Sequence, residues 1–218
     1  MIYFFSDAHY GHRNICLGVS TWTDLSKCRD FHSIEKMNMT IVKSINSIVK
    51  KDDTLYHIGD WSFGGWENIW NFRKQIVCEN IIQVNGNHDI HIMKNKFFPH
   101  LEKQYGLIYE IDDKNEYHTI SNIKNDNDVT AHDMFSEVYD DVIKININGQ
   151  IIVLSHHPLD TWEDMKNGSW HLHGHTHHDI DNSIINLNYK RFDVGWIDKV
   201  YSFDDIKNIM DNRKIKNK

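Results

Sequence analysis

The residues best suited to chemistry form one short stretch, Asn85-Gly86-Asn87-His88-Asp89, directly after an apolar run. The amide oxygen, the imidazole and the carboxylate suit a metal ligand, a proton donor and a group that orients the donor. Gly86 would let a substrate approach the main chain closely. Asn-Gly is also a common turn dipeptide, so an ordinary surface turn is the alternative interpretation of this stretch alone.

Two more groups of metal-binding residue types follow apolar runs in the first half of the chain. Asp7 and His9 come soon after the run at 2–5, and Asp60 follows the run at 54–58. On an extended segment Asp7 and His9 would point to the same side, because they are two positions apart. A carboxylate and an imidazole that converge at a strand end make half of a metal site. Polar loops often follow core strands, but three such groups favour a function.

Histidines repeat this arrangement in the second half of the chain. His156 follows the run at 150–154, and His175 and His177 are two positions apart in a tract that begins at His173. Taken alone, this tract could bind a single zinc ion, or it could reflect only the sixteen histidines of the chain.

Three further residues could contact a substrate. Arg13 and Asn14 lie on the loop that carries His9, and Arg13 could bind a phosphate oxygen, although a solvated arginine is the alternative. His173 could contact the substrate or a ligand residue, although a packed histidine is the alternative. His57 lies inside a predicted strand and is expected to be a core histidine.

Hydrophobic periodicity predicts the elements that would position these residues. Residues 2–89 alternate strand, helix, strand, helix, strand, which favours parallel strands joined by helical crossovers. The helix at 33–50 has Ser33 as its expected N-cap. Residues 142–154 favour a hairpin because Asn148-Gly149 separates two β-rich runs. In such a sheet, ligands bind beyond the carboxyl ends of the strands.

The remaining segments complete one predicted domain over residues 1–218. Residues 112–133 are rich in Asp, Asn and Lys without a clear period, which indicates a loop or small cap outside the core. Strands are also expected at 107–111, 183–189 and 191–195, helices at 66–77 and 203–210, and a short helix and connection, interrupted at Pro99, at 90–105.

Composition limits the class of protein. The chain has 218 residues, 40% of them apolar and 25% charged, as in soluble globular domains. The net charge of −7 argues against nonspecific nucleic-acid binding, but a nucleotide substrate remains compatible because metal ions invert the local field. No apolar run approaches the roughly 18 residues of a membrane span. Three cysteines without metal-type spacing, and no recognisable signal peptide, predict a cytoplasmic location and no membrane partner.

The ordered set of motifs resembles the calcineurin-like metallophosphoesterase superfamily. The set is Asp7-x-His9, Gly59-Asp60, Gly86-Asn87-His88-Asp89, His156 and Gly174-His175-x-His177, and it spans residues 2–195. One departure is Phe63, since many members have Asp or Arg three positions after the Gly-Asp aspartate. That position carries no metal in the family, so the departure bears on substrate contacts and leaves the metal ligands intact.

The resemblance implies an α/β fold, a four-layer α-β-β-α sandwich of two mixed sheets flanked by helices, with the site at the strand tips. It implies a first metal held by Asp7, His9, Asp60 and His177, and a second held by Asp60, Asn87, His156 and His175. The cofactors would be two divalent ions, Mn2+, Fe2+, Ni2+ or Zn2+. They would generate a bridging hydroxide for in-line attack on a phosphate ester. His88 would protonate the leaving oxygen or stabilise phosphoryl charge, and Asp89 would orient His88.

Within this interpretation the expected partner is a small phosphate ester. A phosphodiester with a nucleoside part is preferred, because several tryptophans fall in or near loops that could border the site and could stack on a base. A phosphomonoesterase on the same site is an alternative, as are a catalytically silent scaffold of the same fold and a mononuclear zinc hydrolase built on residues 173–177. Counting bound metal ions would separate the mononuclear hydrolase from the binuclear enzyme.

Overall fold

The protein has an α/β fold with two mixed β-sheets. The computed structural model describes residues 1–95, 109–111, 117–119, 130–177, 189–196 and 199–213. The strands are β1 (Ile2–Phe5), β2 (Thr54–Ile58), β3 (Asn80–Val84), β4 (Tyr109–Ile111), β5 (Tyr117–Thr119), β6 (Glu137–Tyr139), β7 (Ile143–Ile147), β8 (Gln150–Leu154), β9 (Trp170–His173), β10 (Arg191–Asp193) and β11 (Tyr201–Ser202). The α-helices in these ranges are α1 (Ile34–Ile48), α2 (Trp66–Arg73), α3 (Ile90–Met93) and α4 (Phe203–Asp211).

The first sheet contains the predicted parallel strands. Its order is β11-β1-β2-β3-β6, with β1, β2, β3 and β6 parallel and β11 antiparallel to β1. The alternation of strands and helices over residues 2–89 is therefore confirmed. Helix α1 begins after Ser33, whose side chain accepts a hydrogen bond from the Lys36 backbone N–H at 3.1 Å, as expected of an N-cap.

The second sheet has the order β10-β9-β8-β7 and contains the predicted hairpin. Strands β7 and β8 are antiparallel, and the turn residues Asn148 and Gly149 have φ of 53° and 87°. Positive φ at both central residues is the requirement of a type I′ turn. Strands β8, β9 and β10 are mutually parallel, so the loops that follow β8 and β9 leave the same end of the sheet.

The two sheets share a buried apolar core. Phe4 and Val84 of the first sheet lie in one cluster with Ile152 and Leu172 of the second. The other face of the first sheet packs against α1, where Met37, Ile41 and Ile45 are fully buried. The first sheet is therefore packed on both faces, against α1 and against the second sheet. This packing holds the loops at the carboxyl ends of its strands in place.

Several sequence predictions concern segments that are described only in part. Strands β4 (109–111) and β5 (117–119) form an antiparallel pair. β4 lies just before the predicted excursion at 112–133, and β5 lies within it. Most of the predicted excursion at 112–133 and most of the strand at 183–189 lie outside the described residues. No helix within the described ranges is long and apolar enough to cross a membrane.

Candidate metal centre

All seven predicted metal ligands, together with His88, lie in loops at the ends of five strands. Asp7 and His9 follow β1, and Asp60 follows β2. Asn87 and His88 follow β3, His156 follows β8, and His175 and His177 follow β9. Because the first three strands are parallel, their loops meet at one edge. The structure thus brings together residues that are as far as 170 positions apart in the sequence.

The loops hold these residues in an uncommon backbone conformation. Positive φ occurs at Asp7 (53°), His9 (51°), Asp60 (60°), His175 (68°) and His177 (49°). Non-glycine residues rarely adopt this left-handed conformation, and such residues cluster at functional sites. The backbone at Asp7 and His9 is therefore not extended, contrary to expectation, but the two side chains do converge, with Asp7 Oδ1 3.8 Å from His9 Nε2.

The first cluster of donors contains Asp7, His9 and His177. The Nε2 atoms of His9 and His177 are 3.2 Å apart. Asp7 Oδ1 lies 3.8 Å from His9 Nε2 and 3.5 Å from His177 Nε2. Asp7 and His9 are almost completely buried, whereas the His177 side chain is 30% exposed.

Asp60 joins this cluster to a second one. Its Oδ2 atom lies 3.5 Å from His9 Nε2 and 3.3 Å from His156 Nε2. Asn87 Oδ1 lies 3.2 Å from His156 Nε2 and 3.0 Å from His175 Nδ1. One buried carboxylate therefore stands between two sets of nitrogen and oxygen donors.

These separations fit two divalent metal ions. Ligands about 2.1 Å from an ion at a tetrahedral angle lie about 3.4 Å apart, close to the distances in both clusters. Mixed imidazole and carboxylate donors suit transition ions such as Mn2+, Fe2+, Ni2+ and Zn2+. Asp7, His9, Asp60 and His177 would hold one ion, and Asp60, Asn87, His156 and His175 would hold the other.

The donors of the centre differ in their protonation. Burial raises the pKa of Asp7 to about 7, and the neighbouring carboxylates Asp193 and Asp60 add to this effect. Burial lowers the pKa of His177 to about 4 and holds the pKa of His9 well below its usual value. These two imidazoles are therefore neutral near pH 7, which is the state that binds metal.

His156 differs from these two histidines in its protonation. Burial lowers the pKa of His156, but the hydrogen bond and the charge of Asp60 outweigh burial and raise that pKa to about 9. A metal ion would therefore have to displace a proton at His156.

Comparison with known proteins gives a fold but no activity. No known protein-family profile matches the chain. An uncharacterized protein of Methanocaldococcus jannaschii is 32% identical over 91 residues, which are 40% of this chain and 46% of that protein. The match thus spans about half the length of that relative. A crystal structure of a protein of unknown function from Aquifex aeolicus, 20% identical, covers 96% of this chain and 98% of its own, with a TM-score of 0.57. That likeness concerns the fold alone.

Glycines allow the site loops to approach one another. A Cβ atom on Gly86 would lie 2.4 Å from Asp60 Oδ1, and one on Gly174 would lie 2.4 Å from Asp7 Oδ2. Any larger residue at these positions would displace a predicted metal ligand. Gly86 was expected to admit a substrate, but in the structure it admits the side chain of Asp60.

Asp89 has a different role from the predicted one. Its carboxylate accepts hydrogen bonds from the backbone N–H groups of Asp60 (2.7 Å), Trp61 (2.9 Å) and Gly86 (2.8 Å), and from the Gln83 side chain (3.0 Å). Asp89 is 2% exposed and links the loop after β2 to the loop after β3. The prediction that Asp89 orients His88 is wrong, because both carboxylate oxygens are used to hold these loops together.

We expect Asp89→Ala to lower the free energy of unfolding by at least about 3 kcal/mol, because it leaves several buried N–H groups without an acceptor. Denaturant unfolding of the metal-free protein measures this loss. The matched control is Asp133→Ala, which removes an exposed carboxylate that accepts bonds from the Thr130 backbone and hydroxyl and should cost about 0.5–1.5 kcal/mol. Equal losses in the two variants would contradict the role given to Asp89.

Two residues to which the sequence analysis assigned no role, His12 and Arg29, contact the segment that carries Asp7 and His9. His12 is 6% exposed, and its Nδ1 atom lies 3.2 Å from Nδ1 of His9, so it fixes the orientation of that ring. The Arg29 guanidinium donates to the backbone oxygens of Asp7 (2.5 Å) and Ala8 (2.8 Å). His12 could have been found from its spacing of three after His9, but the sequence shows no signal for Arg29.

The three predicted substrate-binding residues have different surroundings. Asn14 Oδ1 accepts hydrogen bonds from the backbone and hydroxyl of Thr21 at 3.1 and 3.0 Å, so it shapes its own loop. Arg13 is exposed in a short 3₁₀ helix. His173 is completely buried at the end of β9, which favours the packed histidine over a substrate contact, and its contact with a ligand residue stays a prediction. His57 is a buried core histidine, as expected, and lies 2.8 Å from Gln83 Oε1.

Phe63 is the one departure from the motif pattern, and its ring lies beside the predicted centre. Its ring stacks on His12 at 4.0 Å with an interplanar angle of 9°, and it meets His88 edge-on at 5.4 Å. Phe63 is 40% exposed, and Trp22, which is 42% exposed, lies 5.8 Å from the same His12 ring. Aromatic surface therefore borders the centre where many calcineurin-like proteins are expected to have a charged residue.

Proposed function

We propose that this protein hydrolyses phosphate esters with two divalent metal ions, as its resemblance to calcineurin-like metallophosphoesterases implies. The observation that carries the proposal is the position of Asp60 between His9 and His156, which suits a carboxylate shared by two ions. The proposal includes the four-layer arrangement of sheets and helices expected for that superfamily. When bound, the two ions would attract the phosphoryl oxygens and acidify a water molecule.

The residues of the chain have separate tasks in this reaction. Asp7 and Asp60 bring two negative charges, so the loaded centre keeps a net positive charge that favours a phosphate ester and its transition state. His88 is the group placed to move a proton, because its Nε2 lies 4.0 Å from Asp60 Oδ2 while its side chain is still 35% exposed. His88 would give that proton to the leaving oxygen, which then departs as an alcohol.

The alternatives from the sequence are less well supported. A mononuclear site built on residues 173–177 is disfavoured, because His175 contacts Asn87 whereas His177 contacts Asp7, so the two histidines face different donors. A silent scaffold would not need a complete donor set beside an accessible His88. A diester with an aromatic part is favoured over a monoester by the exposed rings of Phe63 and Trp22. Trp61, Trp162 and Trp170 are buried and give no such support.

The deciding experiment uses protein stripped of metal and reloaded with Mn2+, Fe2+, Ni2+ or Zn2+. Bound metal is counted while hydrolysis of bis-p-nitrophenyl phosphate and p-nitrophenyl phosphate is followed. We expect two ions per chain and faster turnover of the diester. One ion per chain would overturn the binuclear proposal, and faster turnover of the monoester would point to a phosphatase.

Metal affinity should decrease as the pH falls, because protons compete with metal at Asp7 and also at His156, whose pKa is about 9. The pKa of Asp7, about 7, is raised above the usual value, so protons compete with metal at this carboxylate as the pH falls through 7. We expect the affinity for Mn2+ to decrease at least about fivefold from pH 7 to pH 6, measured by calorimetric titration. The same series on Asp7→Asn should show a weaker pH dependence. An affinity that is constant between pH 6 and pH 7 would contradict this assignment.

A further inference from the structure

A cavity of about 560 Å³ opens beside the predicted metal centre. We propose that it binds the organic group that stays on phosphorus when the ester is cleaved, and that this group is uncharged and of nucleoside size. The inference rests on the proposed function and specifies the substrate class for the same centre. A volume of this size falls within the range of small-molecule binding sites.

The cavity is continuous with the predicted ligands of the second ion. Its lining includes Asn87 and His156, which also contribute to the donor cluster around Asp60. His88 lies in the same loop as Asn87, but it points to Asp60 and to the ring of His9 rather than to the described cavity lining. A phosphoryl group at the centre would therefore have His88 and the leaving oxygen on one side and the cavity on the other.

The cavity presents apolar side chains to solvent. Ile90 is 47% exposed, Met93 is 42% exposed and Val142 is 44% exposed, and all three line the cavity together with Leu159. Exposed apolar side chains that gather around one concave site mark a ligand surface more strongly than scattered ones. An apolar group of the substrate would remove this surface from water.

The carboxylates of the described lining disfavour a second anionic group. Apart from the predicted ligand His156, the described lining holds two carboxylates, Asp140 and Asp141, against one lysine, Lys94. Asn85 Nδ2 donates to Asp140 Oδ1 at 2.9 Å and fixes that carboxylate. A further phosphate placed beside Asp140 and Asp141 would be repelled, whereas the N–H and O–H donors of a base and a sugar would find acceptors there. The chemistry therefore favours a nucleoside joined through one phosphoryl group.

The test keeps the leaving group constant and changes only the retained group. The substrates are the p-nitrophenyl ester of thymidine 5′-phosphate and methyl p-nitrophenyl phosphate, with protein loaded with Mn2+. We expect kcat/KM to be at least about tenfold higher for the thymidine ester. Val142→Arg, which fills the cavity, should reduce the ratio of the two kcat/KM values at least fivefold, mainly through the KM of the thymidine ester.

The controls separate this inference from the proposed function. Val77→Arg adds the same side chain at an exposed valine outside the described cavity lining and should leave the ratio unchanged. If Val142→Arg fails to bind two ions, Met93→Ala replaces it and should also lower the ratio. The cavity assignment would be overturned if both esters were hydrolysed without preference. It would also be overturned if both cavity variants kept the preference for the thymidine ester. In either case the phosphoesterase proposal would stand. Two bound ions without turnover of either ester would overturn the phosphoesterase proposal itself.

Discussion

Asp60→Asn should abolish hydrolysis of bis-p-nitrophenyl phosphate, with kcat/KM reduced by at least about 10³-fold. Asp60 Oδ2 is the atom that lies close to both His9 and His156, so the substitution removes one negative charge from both donor clusters at once. The amide keeps the size of the side chain and one oxygen, so the effect comes from charge rather than from volume. Bound metal should decrease from two ions to at most one per chain.

Two comparisons make the Asp60 result specific. Asp7 is a predicted ligand of the first ion only, although its carboxylate also accepts hydrogen bonds from the His175 backbone N–H. We therefore expect Asp7→Asn to retain the second ion, whereas Asp60→Asn should weaken the binding of both ions. Asp52→Asn removes an exposed carboxylate from the turn before β2 and should leave metal content and rate unchanged. If Asp60→Asn retained two ions and most of the activity, Asp60 would not be the shared ligand.

The order of strands and the position of the centre could be predicted because they follow from local patterns. Strands β1, β2 and β3 are short apolar runs separated by amphipathic or helix-length segments, and such a pattern leaves parallel pairing as the natural solution. Asn148-Gly149 specifies its turn because both residues tolerate positive φ. Each predicted ligand follows a strand end, where parallel strands place their loops side by side.

What could not be predicted depends on contacts between distant loops. The side chain of Asp89 turns toward backbone N–H groups of the loop after β2, and no spacing within residues 85–89 encodes that choice. His173 and His175 are neighbours in one tract, yet the pleat of β9 buries the first and a left-handed turn presents the second. Asn14 was predicted to contact the substrate, but its side-chain oxygen accepts hydrogen bonds from the backbone and hydroxyl of Thr21.

His88→Ala should lower kcat by about 10²–10⁴-fold on an ester with an alkyl leaving group, while the protein keeps two metal ions. An alkoxide is a poor leaving group and needs a proton during bond cleavage, which the His88 ring is placed to give. His88 is 35% exposed and its Nε2 stands 4.0 Å from Asp60, whereas His9 and His156 are almost fully buried against the same carboxylate. His91→Ala, at an exposed histidine three positions further along, is the matched control and should have no effect.

The dependence on the leaving group decides what His88 does. The p-nitrophenolate ion leaves without help from an acid, so the loss in His88→Ala should be at least tenfold smaller on p-nitrophenyl esters than on alkyl esters. An equal loss on both esters would show that His88 stabilises charge on the phosphoryl group instead of protonating the leaving oxygen. A parallel loss of bound metal and of rate would show that His88 is a metal ligand. His88, His9 and Asp60 lie close enough together for such a role.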